Sequence, residues 1–145
     1  MASVKSVAIT NLDAVPSVAS DGGNLSPMMV WHDTYEASSL ASGSDITIAR
    51  IPAGSTIHDV IVKADALGGS STLTVGDSGD ADRFLAAVGT WNAAGQAQSM
   101  LAGSTAANTA VAGLAYKVTS STDLVITTGG ATISGTIYFW VHYTQ

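Results

Sequence analysis

Residues 132–144 read TISGTIYFWVHYT, and their apolar side chains recur at odd positions: Ile133, Ile137, Phe139, Val141 and Tyr143. A period of two puts successive side chains on opposite sides of an extended chain, so this segment is a β-strand with one apolar face. The opposite face holds Thr132, Ser134, Thr136, Tyr138, Trp140 and His142. Tyr138 and Trp140 are too much aromatic surface to leave wet without reason, so this second face is expected to meet another sheet or another subunit.

The same period recurs upstream. Strands are expected at SVKSVAIT near the start, at residues 28–37, 45–51, 56–66, 71–77, 115–120 and 123–129, and at the C-terminus. Turn residues separate them: Pro52 and Gly54, the LGGSS stretch after Leu67, SSTD before Leu124, and Gly129 with Gly130, where a two-residue hairpin requires positive φ. Many short strands with closely spaced turns predict an all-β fold, an antiparallel β-sandwich of jelly-roll-like type. Residues 1–27 are expected to form an N-terminal strand and an extended arm, and residues 28–145 the sandwich, within a single domain. Residues 89–113 are alanine-rich, but Gly95, Gly103 and Gly113 interrupt any helix beyond a turn around AQSML, so a long ordered loop is expected there.

Composition narrows function. A chain of 145 residues buries enough surface to fold without staples, and with no cysteine neither disulfides nor thiolate zinc sites are available. The formal net charge is −6, and the five basic residues (Lys5, Arg50, Lys63, Arg83, Lys117) are scattered singly, which argues against nucleic-acid binding. No apolar run reaches the length of a membrane span, and the N-terminus lacks the apolar core and cleavage site of a signal peptide, so a soluble protein made in the cytoplasm is expected. Charged residues make up only 11% of the chain, far below the usual share, and a surface of small side chains and hydroxyls suits close packing against neighbours.

Four groups of residues compete for a chemical role. Asp77, Asp80 and Asp82 in GDSGDADR are either a cation site or a strand-ending turn. Only part of a calcium-loop pattern is present, so the turn is favoured: Gly79 in a left-handed conformation, aspartates capping turn amides, and Arg83 paired with one of them. Catalysis by these carboxylates would require an apolar wall to raise one pKa, and the turn offers glycines instead. His32, His58 and His142 lie in strand patterns and read as half-buried side chains bonded through one nitrogen rather than as ligands. No nucleophile motif such as GxSxG accompanies them, so neither an enzyme nor a cofactor is expected. Trp31, Trp91 and Trp140 allow a sugar-stacking platform, but packing in the core or at an interface is the favoured role; Trp31, Trp91, Tyr138 and Trp140 are the interface candidates.

The run IARIPAGSTIHDVIVKADALGGSSTLTVGDSGDADRFLAA, residues 48–87, resembles a segment of small structural proteins of tailed bacteriophages and related prophage elements. The resemblance covers under a third of the chain and rests chiefly on GDSGDADRF, preceded by an IPAG turn and a strand of V.V.AD type. It implies a β-sandwich virion component, a capsid decoration (cement) or related head or fibre protein that acts as a trimer or other oligomer. Its partner would be the major capsid protein, and it would reside in the virion after assembly in the host cytoplasm. The rival expectation is a carbohydrate- or receptor-binding module of a fibre or tail, in which Trp91 and its loop line an exposed groove.

Overall fold

The computed structural model describes residues 27–89, 91, 93–101 and 113–145. The expected N-terminal strand and arm lie outside the described residues, save for residue 27. The described residues form nine strands in order: β1 Met29–Leu40, β2 Asp45–Ile51, β3 Thr56–Ala64, β4 Thr72–Asp77, β5 Asp80–Val88, β6 Gln96–Ser99, β7 Tyr116–Lys117, β8 Thr122–Gly129 and β9 Ile133–Thr144.

Two sheets form. The first runs β1-β9-β3-β6, with the short β7 also pairing β3, and the second runs β2-β8-β4-β5. Every pairing is antiparallel, and four of them nest inside one another: β4 with β5, β3 with β6, β2 with β8 and β1 with β9. This is one long hairpin rolled up, and the pairings of β3 with β9 and β4 with β8 close the roll into two facing sheets. The arrangement is a jelly roll.

Inward side chains fill the space between the sheets. Ile57, Val60, Val62, Ile137, Phe139 and Val141 from the first sheet meet Ile46, Ile48, Ile51, Leu73, Val75, Leu124 and Ile126 from the second, all buried. Each such side chain contributes about 1.5–3 kcal/mol relative to an exposed one.

Two β-bulges keep this core in phase. In β3, Ile57 is odd-numbered while the inward Val60, Val62 and Ala64 are even, and the register shifts between Ile57 and Asp59. In β2 a shift between Thr47 and Ala49 lets Ile46, Ile48 and then Ile51 all point inward and turns Arg50 out. One extra residue changes the side on which the rest of a strand projects.

Two sequence expectations change. Residues 80–88, where no strand was expected, form β5, and Gln96–Ser99, expected as loop or helical turn, form the edge strand β6. β6 is tied to β3 by its ladder and by flanking bonds, with Gly95 N donating to Ala64 O at 3.0 Å and Met100 N to Val60 O at 2.9 Å. Tertiary pairing with an open edge of β3 overrides the weak helical preference of alanine and glutamine.

β9 pairs with both β1 and β3 and so joins the two sides of the first sheet. Deleting residues 138–145 therefore removes Phe139 and Val141 from the core and strips both neighbours of ladder bonds. Loss of the cooperative thermal transition by circular dichroism is the expected result; a truncated chain that melts like the full one contradicts this role for β9.

Candidate functional site

The acidic turn is a two-residue hairpin, with Asp77 closing β4 and Asp80 opening β5 around Ser78 and Gly79. Asp77 is buried. Its Oδ1 accepts from the amides of Gly79 at 2.8 Å and Asp80 at 3.0 Å, and its Oδ2 accepts from Arg83 Nε at 2.8 Å. The Arg83 guanidinium also lies over the Tyr116 ring, 4.4 Å from its centre. Burial works against the Arg83 charge, but the hydrogen bond and the charge of Asp77 outweigh it and hold the group above its ordinary value. This carboxylate is committed to the turn and to one ion pair.

Asp80 and Asp82 are the turn's remaining acids. Asp80 accepts from the Asp82 amide at 3.3 Å. A side-chain hydrogen bond with Asp80, then burial, then the Asp80 charge raise the Asp82 carboxyl above its usual range. The folded state thus holds this proton more tightly than the unfolded chain, so Asp82 costs stability above the carboxylate range and the cost fades as pH falls into it. Among the described residues no group of three His, Asp or Glu side chains is placed to hold a metal.

Gly79 does not take the expected left-handed conformation; the described glycines at positive φ are Gly43, Gly54, Gly68, Gly95, Gly130 and Gly135. Its role is spatial, since an added Cβ would sit 3.3 Å from both Arg83 Nη2 and Asp77 Oδ1. The stricter requirement falls on Gly76, where a Cβ would lie 2.1 Å from the Asp80 carbonyl oxygen. Gly129 likewise differs from expectation: only Gly130 of that pair has positive φ, 75°.

The three histidines all belong to the first sheet. His32 stacks on Trp140, with ring centres 5.0 Å apart and planes 22° from parallel. His58 Nε2 lies 3.0 Å from Thr144 Oγ1, and His142 sits opposite Asp59 in the β3–β9 ladder. Asp59 is engaged elsewhere: its carboxylate accepts from Ser99 Oγ at 2.9 and 2.8 Å and from the Leu101 amide at 3.2 Å.

The tryptophans separate. Trp91 is completely buried, its indole Nε1 without a hydrogen-bond partner among the described residues. It belongs to the core, which corrects its place among the interface candidates and removes the exposed groove that the sugar-binding alternative required of it. Tyr138 and Trp140 are half-buried on the outer face of the first sheet, since the second sheet covers the opposite face. Shallow hollows flank Trp140: one of about 330 Å³ is lined by Ile61, Lys63, Ala97, Trp140 and His142, and another of about 290 Å³ adds Asp65, Gly95 and Tyr138.

The outer face of the second sheet has a different character. Thr47, Thr72, Thr74 and Thr127 project from it beside Asp45, Asp123 and Val125. A polar groove of about 710 Å³ lies there, rimmed by the Asp77–Ser78 hairpin and by the ion pair of Arg50 Nε with Asp123 Oδ1 at 2.6 Å. That hydrogen bond, with the Arg50 charge added, outweighs the opposing effect of burial and holds the Asp123 carboxyl below its usual value. Arg50 is exposed and Asp123 half-buried, so solvent screening keeps the contribution of this pair small. The groove is lined by carboxylates and hydroxyls, with Thr127 Oγ1 donating to Asp45 Oδ1 at 2.8 Å, and by no aromatic side chain among the described residues.

The largest anomaly is β1. Of its twelve residues only Ala37 is buried, and Val30 and Trp31 expose 53% and 38% of their surface. Trp31 was legible as an interface candidate, whereas Met28, Val30 and Tyr35 were not: in sequence they look like any alternating strand. Only the topology shows that β1 is an edge strand overhanging the core.

No protein-family model matches the chain, and no curated protein matches it. Solved structures do. The chain is similar to a chain of the capsid asymmetric unit of cyanophage Pam1, with 23% identity over 88% of this chain and 91% of that one and a TM-score of 0.66. It is also similar to chains in the capsid of Ralstonia phage GP4 (19% identity, 82% and 84% covered, TM-score 0.59) and the capsid of Helicobacter pylori bacteriophage KHP30 (12%, 81% and 87%, 0.60). At these identities the likeness establishes a shared fold.

The hairpin geometry orders its own mutations. Asp77→Asn weakens a buried charge pair and is expected to cost about 2–4 kcal/mol, whereas Asp80→Asn costs at most about 1 kcal/mol. Gly76→Ala is expected to destabilise more than Gly79→Ala, because it drives a methyl group into backbone rather than against side chains. Thermal melts with and without calcium check this: a calcium-dependent rise in the wild-type midpoint that disappears in Asp80→Asn contradicts the structural reading of the turn.

Proposed function

We propose that the protein is a non-enzymatic structural component of a bacteriophage particle, a capsid decoration protein that binds the shell as a trimer and bridges subunits of the major capsid protein. The observation that carries this reading is a jelly roll matching chains in three phage capsid structures over more than four-fifths of its length. Low charge and the committed Asp77 carboxylate support a role without catalysis.

The mechanism is contact area. On the outer face of the first sheet, Tyr138 and the stacked Trp140 and His32 present rigid rings beside the Trp140 hollows. Aromatic anchors of this kind exclude water from a contact. At about 25 cal/mol per Å² a modest patch per copy suffices, because three linked patches engaging one lattice gain by avidity.

Empty shells of the parent phage prepared without this protein provide the test. Purified protein is expected to co-sediment saturably with them and to raise their disruption temperature, and Tyr138→Ala with Trp140→Ala is expected to weaken binding at least about tenfold while leaving the fold intact. Failure of the wild-type protein to bind such shells overturns the reading.

A further inference from the structure

The exposed large hydrophobic side chains divide between the two opposite edges of the first sheet. Met28 (61% exposed), Val30 (53%), Trp31 (38%) and Tyr35 (36%) lie on or beside β1, while Leu101 (63%) and Leu114 (43%) flank β6 and β7. Among the described residues no other large apolar side chain is comparably exposed.

Charge divides along the same line. The ionised side chains of β1 are Asp33 and Glu36, both exposed: Asp33 accepts from the adjacent Thr34 amide at 2.8 Å and Glu36 from Thr136 Oγ1 of β9 at 2.6 Å. Toward the other edge stand Lys63, opposite Ala97 of β6, and Lys117 on β7, both exposed. Of the acids on that side, Asp59 is buried against Ser99 and the Leu101 amide, and the exposed Asp65 is turned to β9, its Oδ2 accepting from the Thr136 amide at 3.1 Å. The remaining described cations, Arg50 and Arg83, are held by Asp123 and Asp77, whereas no acid pairs with either lysine among the described residues.

We infer that copies of this chain assemble head to tail through these two edges, the apolar and acidic β1 edge of one copy meeting the apolar and basic β6–β7 edge of the next. Strand direction supports this. Each neighbouring pair in β1-β9-β3-β6 is antiparallel, so β1 and β6 run in opposite senses. A second copy rotated about an axis along the strands brings its β6 beside the first copy's β1 in antiparallel sense, and the alternation continues across the contact. Two β1 edges placed face to face would instead set Asp33 and Glu36 against the same acids. A heterologous contact closes into a ring when the rotation divides the circle. The inference rests on the self-association proposed above and not on attachment to a shell.

Sedimentation of the isolated full-length chain tests it, with four variants: wild type, Asp33→Lys with Glu36→Lys, Lys63→Glu with Lys117→Glu, and all four changes together. All four positions are exposed, and thermal melts verify that each variant folds. Wild type is expected to sediment as one closed species that dissociates at high salt. Either two-site reversal is expected to weaken association at least about tenfold, and the fourfold reversal to restore it, because the two edges are again opposite in charge. Normal assembly of the lysine variant beside a disrupted acidic variant shows that Lys63 and Lys117 lie outside the contact and overturns the inference. So does a monomeric wild type, or a folded fourfold variant that stays apart. A ring that forms as described yet ignores empty shells defeats the decoration reading alone.

Discussion

Backbone pairing to β9 is what places β1. A strand that gives the core only Ala37 and the partly buried Leu40 has little hydrophobic reason to stay where it is, and the ladder from Met29 opposite Tyr143 to Leu40 opposite Ile133 supplies the restraint instead. β9 can bear that task because its other edge is bonded to β3 and its odd-numbered side chains are locked in the core. The first sheet is thus anchored at its middle and offered at its rim. Both the His32 ring lying on Trp140 of the outer face and the overhang of Trp31 and Tyr35, which project to the core side opposite Val141 and Ile137, depend on that one shared strand.

Most of the architecture was legible in alternation and turn residues. β2 coincides with its expected span, and β8 and β9 begin within a residue of theirs, because apolar alternation is strong there and glycine or serine marks the ends. What alternation cannot reveal is a change of phase. The bulges in β2 and β3 insert one residue each, and only cross-strand registry shows that Ile48 and Ala49 are both inward. β5 and β6 were missed for another reason. Ala86, Ala87 and Ala97 carry little strand preference of their own, and those segments are extended because β4 and β3 offer them open edges.

The candidate sites show the same limit. Trp91 looked available because it sits among glycines and alanines, yet it is sealed in the core, while the inconspicuous Val30 and Tyr35 are in water. Exposure of an apolar side chain is decided by which strands lie over it, and that is a property of topology. The aspartate-rich turn was the opposite case: its hydrogen bonds are local, so Asp77 with its turn amides and Arg83 could be anticipated from a few consecutive letters.

The threonine-studded outer face of the second sheet bears on how the molecule behaves in a crowd. Its projecting groups are mostly hydroxyls and a neutralised ion pair, which bind water adequately and offer a passing macromolecule neither a greasy foothold nor a strong field. The two broad sides of the roll are therefore chemically unequal, aromatic rings on one and hydroxyls on the other. Contact through the aromatic side, as proposed above, would leave the hydroxyl-rich side facing the solvent.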